Sequence, residues 1–86
     1  MYVILVYDIS EERVAKVLKT CRKYLTWVQN SVFEGEISES DMIKLKDELS
    51  EIIEEEDSIT IYKLRTTAYF EKEHLGSVKG EPTEFL

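Results

Sequence analysis

Apolar side chains alternate without a polar break from Tyr2 to Tyr7, so both faces of this stretch are hydrophobic until Asp8 closes it. Tyr2, Ile4 and Val6 share a face with Asp8, and Val3, Leu5, Tyr7 and Ile9 line the other. A strand of this kind needs cover on both sides. Helices of the same chain supply one cover, and in so small a protein the other is expected from a second copy. The period then changes. Behind Ser10, placed to cap a helix with Glu11 and Glu12 in its first turn, Val14, Val17, Leu18, Cys21 and Tyr24 recur at helical spacing. The aromatic and β-branched run that follows predicts two short strands, Leu25–Gln29 and Val32–Ile37, turning near Asn30 and Ser31. One bent or bulged strand is the competing reading, and Gly35 suggests a bulge or a close backbone approach. Ser38, three residues before Asp41, opens a second helix to about Glu54 with Met42, Leu45, Leu49, Ile52 and Ile53 as its apolar stripe. Ser58–Leu64 is a final strand of strong β propensity.

The order β-α-β-β-α-β with right-handed crossovers predicts an α+β, ferredoxin-like fold: a four-stranded antiparallel sheet with both helices on one face. The bare face argues for a homodimer packed through the sheets, because each large apolar side chain left in water forgoes roughly 1.5–3 kcal/mol of burial. Residues 66–86 are too poor in apolar side chains to form a core and are expected to add an edge strand. No repeat or linker divides the chain, so residues 1–86 are read as a single domain.

Composition narrows the picture. One cysteine, Cys21, excludes an intrachain disulfide and suits a reducing compartment; nothing has zinc-ligand spacing, and self-association is the expected staple for 86 residues. No apolar run approaches the roughly 18 residues of a membrane span, and no signal peptide is read, so a cytoplasmic protein without membrane contact is expected. The net charge of −7 argues against nucleic acid as a partner until its distribution is examined. Residues 1–33 carry +2, whereas residues 34–57 carry −9. A local phosphate-binding surface on the first helix, with Arg13, Lys16, Arg22 and Lys23, therefore stands beside the plain reading of a solvated helix face.

Three segments, YVILVYDIS, TWVQNSVFEGEI and DSITIYKL, in this order and spacing resemble CRISPR-associated protein two, the second of the near-universal proteins of CRISPR adaptation. The resemblance covers residues 1–64 clearly and the tail loosely. It implies a ferredoxin-like homodimer with a C-terminal strand reaching the partner's sheet. It also implies a metal-dependent endonuclease, of the family's endoribonuclease type, acting on single-stranded RNA or double-stranded DNA, and a place beside the CRISPR integrase in spacer acquisition. The family's acidic residue falls on Asp8, its aromatic-Glu-Gly pattern on Phe33, Glu34 and Gly35, its serine on Ser31 and its early helical base on Arg13. Two positions depart from the pattern: Leu25 stands where relatives often have glycine, and Trp27 where some have arginine.

On this basis Asp8 is the expected catalytic and metal-binding residue. Two Asp8 side chains meeting near a dimer axis would hold Mg²⁺, or another divalent cation such as Mn²⁺, with water and phosphate oxygens completing its shell. The bland alternative is an Asp that shapes the strand-to-helix turn. Arg13, Lys16, Arg22, Lys23, Ser31 and Phe33 are the candidate nucleic-acid contacts, with packing and turn roles as their alternatives; His74 reads as a surface residue. A non-catalytic dimeric scaffold that binds DNA and bridges integrase dimers is the competing function, and a toxin-like messenger-RNA nuclease a more distant one.

Overall fold

Alternation and helical stripes become β1 (Tyr2–Asp8), α1 (Glu11–Arg22), β2 (Thr26–Gln29), β3 (Val32–Glu36), α2 (Glu39–Ile52) and β4 (Ser58–Leu64) in the computed structural model, which describes residues 1–76. The strands form one antiparallel sheet in the order β2-β3-β1-β4, the ferredoxin-like arrangement. β1 and β3 are central; β2 and β4 are the edges.

The two-faced character of β1 decides the layers. Val3, Leu5 and Tyr7 are buried together with Phe33 of β3, Val17 and Cys21 of α1, and Met42, Leu45 and Leu49 of α2. Both helices thus cover one face. On the opposite face Ile4 lies between Glu34 and Tyr62, Val6 between Val32 and Thr60, and Tyr2 between Glu36 and Leu64. No helix covers these residues, and Tyr62 is 57 % exposed. Part of the chain's own tail crosses this face: the Phe70 ring lies 5.4 Å from that of Tyr2, and the Lys72 ammonium pairs with the Glu34 carboxylate. Residues 65–76 form no strand; the remainder of the expected C-terminal strand lies outside the described residues.

Three local expectations are refined. The segment after α1 is two strands, not one bent strand, and the bulge falls between Trp27 and Gln29 rather than at Gly35, which pairs in register with Val3. Gly35 instead adopts φ +156°, a backbone conformation that disfavours any side chain. Ser38 caps α2 as expected, its hydroxyl accepting the Asp41 N–H at 3.1 Å. Ser10 does not cap α1 with its side chain. Its hydroxyl donates to Glu12, and its N–H is taken by a residue 47 positions away.

Candidate functional site

β1 is the rigid element that aims Asp8. The strand is paired on both sides, with β3 as far as Val6 and with β4 through Asp8 itself, opposite Ser58. Asp8 is exposed while Tyr7, its neighbour, is buried. The carboxylate therefore emerges where the sheet ends and solvent begins, and the backbone carrying it is fixed by its neighbours.

Three connections gather around that end of the sheet. The β2–β3 turn is fastened to Tyr7, whose N–H donates to the Ser31 carbonyl at 3.0 Å and whose hydroxyl donates to the Asn30 carbonyl. The β1–α1 connection and the α2–β4 turn are fastened to each other through Asp57. Its carboxylate accepts the Ser10 N–H at 2.9 Å, the Glu54 N–H at 2.9 Å, and Arg13 Nε and Nη2 at 2.6 and 3.2 Å. The Arg13 guanidinium holds the Asp57 carboxyl well below the usual carboxylate range, and the two backbone donors act in the same direction.

Arg13 is neither a solvated helix residue nor free for phosphate: its guanidinium is committed to Asp57 and, at 2.6 Å, to Glu56, and its side chain is only 16 % exposed. Lys23 pairs with Glu48, which also accepts the Tyr24 hydroxyl at 2.6 Å. Lys16 is exposed midway along α1. Arg22 leaves the last turn of α1 and lies over the Trp27 ring at 4.8 Å, and the Trp27 indole N–H in turn donates to the Asn30 carbonyl of the β2–β3 turn at 3.5 Å. Ser31 is half-buried in the β2–β3 turn. Phe33 is fully buried between Tyr7 and Trp27, with ring centroids at 6.2 and 6.3 Å. This corrects its assignment as a nucleic-acid contact, since a ring with no exposed surface has no face left for a base. The structure thus brings Asp8, Ser31 and Arg13 to one end of the sheet, lays Arg22 over Trp27, and leaves Lys23 beyond the far end of α1.

Sequence reasoning missed Asp57, taking it with the acidic run that precedes β4. The available signal was an Asp in a turn just before a strand, a position where such side chains bind neighbouring backbone N–H groups. Cys21 offers no alternative chemistry: burial pushes its thiol up to about 12, leaving it neutral and inert in the core.

Among the described residues, no three His, Cys, Asp or Glu side chains gather into a metal-binding cluster. The exposed Asp8 carboxylate fits a Mg²⁺ ion that keeps most of its water, provided a second chain supplies another oxygen ligand. A protomer alone does not build a closed cation site.

The fold and the lone carboxylate at the end of its central strand define a ferredoxin-like α+β domain with its candidate chemistry at one end of the sheet. The family model described as CRISPR associated protein Cas2 matches residues 1–72, and the chain belongs to that family. A relative from Dictyoglomus turgidum, named CRISPR-associated endoribonuclease Cas2, is 53 % identical over 87 aligned positions and is covered, like this chain, in full. A namesake from Thermotoga maritima is 56 % identical over 82 positions, with 94 % of each chain covered. Among solved structures, one titled "Crystal structure of cas2" superposes with a TM-score of 0.83 at 43 % identity, covering 100 % of this chain and 97 % of that one. Streptococcus pyogenes Cas2 at pH 6.5 gives 0.75 at 36 % identity, covering 88 % and 100 %. At the family level these relatives carry the name of nucleases.

Proposed function

We propose that two copies pack through the sheet faces that no helix covers and act as a metal-dependent endonuclease on single-stranded RNA or double-stranded DNA, in spacer acquisition beside the CRISPR integrase. The observation that carries this reading is the placement of Asp8: exposed, at the paired end of the central strand, on the same sheet face as Tyr2, Ile4 and Val6 that a second copy would cover. Stacking two such faces brings the two Asp8 carboxylates toward a common axis. Asp8 and Asp8 of the partner subunit would hold Mg²⁺ or Mn²⁺, which when bound polarises the phosphate and lowers the pKa of its water.

The chain's own residues do the rest. β1 holds each Asp8 on a strand hydrogen-bonded on both sides, so the carboxylates need little reorganisation when substrate arrives. Lys16, exposed on α1, supplies a charge for backbone phosphates, while the acidic α2 and its following turn steer nucleic acid away from that side. The RNA reading draws on the endoribonuclease name of the relatives.

One observation favours the scaffold as a second reading: among the described residues no three metal-ligating side chains cluster with Asp8, and Arg13 is already engaged by acids. In that case the dimer binds DNA and bridges integrase dimers without hydrolysis. Spacer acquisition by Asp8→Ala, assayed with the integrase and a repeat array, separates the two. Lost acquisition together with lost cleavage supports the nuclease reading; normal acquisition by a variant that no longer cleaves favours the scaffold.

A further inference from the structure

Asp57 lies one residue before Ser58, the register partner of Asp8, and its carboxylate binds the N–H of Ser10, two residues after Asp8. A single side chain thus fastens both backbone segments that leave the Asp8–Ser58 rung. Its own geometry is closed: Oδ1 takes Ser10 N–H and Arg13 Nη2, and Oδ2 takes Arg13 Nε and Glu54 N–H, which fills the roughly four acceptor positions of a carboxylate. The side chain of Asp57 is 1 % exposed. Arg13 grips it through two nitrogens, a planar fork that lysine does not reproduce, and Glu56 occupies the outer edge of the same guanidinium.

We infer that Asp57 and Arg13 are positioning residues for Asp8, clamping the β1–α1 connection to the α2–β4 turn so that the Asp8 carboxylate is held at the sheet end. Arg13 acts on the site through Asp57, not through the substrate. The catalytic part of this inference rests on the nuclease reading of Asp8; the clamp itself does not. A displacement of even an ångström at a reacting group is costly to rate, whereas substrate affinity draws on other contacts. Loss of the clamp therefore strikes turnover in preference to binding.

The test uses Asp57→Asn and, as a variant that keeps the positive charge, Arg13→Lys. Amide hydrogen exchange is followed by NMR, and cleavage of a single-stranded RNA is followed with Mg²⁺. Amides of residues 8–10 and 57–58 are expected to exchange at least about tenfold faster in both variants, while those of Val3 and Leu5 change by less than about twofold, the mark of local opening. In the same variants kcat falls by about tenfold or more and KM stays within about twofold. Uniform acceleration of exchange along β1 would show a general stability role and overturn the inference. So would unchanged kcat with raised KM and a weaker salt dependence of RNA binding in Arg13→Lys, the signature of a phosphate contact. A parent chain that cleaves no RNA or DNA overturns the nuclease reading alone, and the exchange pattern then decides the clamp by itself.

Discussion

Asp8, the last residue of β1, faces Ser58, the first of β4, across the terminal rung of their pairing, so two strands together place the exposed carboxylate. Everything proposed for the site depends on that rung and on what covers the sheet face beside it.

The face is the first thing to test. Ile4 sits at its centre between Glu34 and Tyr62. Ile4→Asp puts an unpaired carboxylate into the proposed contact between copies, a burial that costs several kcal/mol. The dimer is expected to weaken by at least about 100-fold, which corresponds to about 2.8 kcal/mol. Sedimentation velocity over a concentration series measures this, with circular dichroism confirming that the variant keeps its fold.

Acid stability reports on the Arg13–Asp57 pair. The Asp57 carboxyl lies below its ordinary 3.8 in the folded chain, so near that pH the unfolded chain binds more protons than the native one. Its contribution is complete above the ordinary carboxylate pKa and is lost as pH falls through the lowered value. Stability of the parent should decline more steeply below about pH 4 than that of Asp57→Asn, which has no carboxyl to protonate. Urea midpoints from pH 7 to pH 2 provide the comparison; parallel curves would contradict it.

Much of this molecule was legible in its pattern, and the exceptions have physical causes. β4 emerged with its observed limits because its run of β-branched and aromatic residues alternates between exposed and half-buried positions from Ser58 to Tyr62. The apolar stripes of α1 and α2 became core because helical spacing leaves them no other side to face. Ser10 misled because its neighbours satisfy the helix start signal, while a distant acid takes its N–H. No local pattern records a hydrogen bond across 47 residues. Phe33 takes the packing role that stood as its alternative: strand alternation gives the face a side chain takes, and the packing of Trp27 and Tyr7 over the ring is set by tertiary contacts.

Phe33→Leu distinguishes a core ring from a base-stacking one. Trimming this buried ring costs about 1–2 kcal/mol of stability, equivalent to a fall in Tm of roughly 5–15 °C in a domain of this size. Trp27, the sole tryptophan, loses its stacked neighbour, so its emission should shift. Affinity for single-stranded RNA should stay within about twofold, whereas removal of a base stack would cost roughly 1–3 kcal/mol.

Lys16 offers the opposite behaviour. Lys16→Ala is expected to leave Tm nearly unchanged, because the residue is exposed on α1, and to weaken RNA binding regardless of sequence. The slope of log affinity against log salt should fall by about 0.7 for the loss of one phosphate contact on a single strand. Fluorescence anisotropy with labelled RNA at several salt concentrations measures it.

Magnesium-dependent cleavage by purified Asp8→Asn, compared with the parent at equal dimer concentration, tests the central claim most directly. The account predicts a dimer of parental stability whose cleavage of RNA and of double-stranded DNA is reduced by at least about 100-fold, the scale expected when a group that prepares the attacking water is lost. Cleavage at the parental rate by that variant would contradict it.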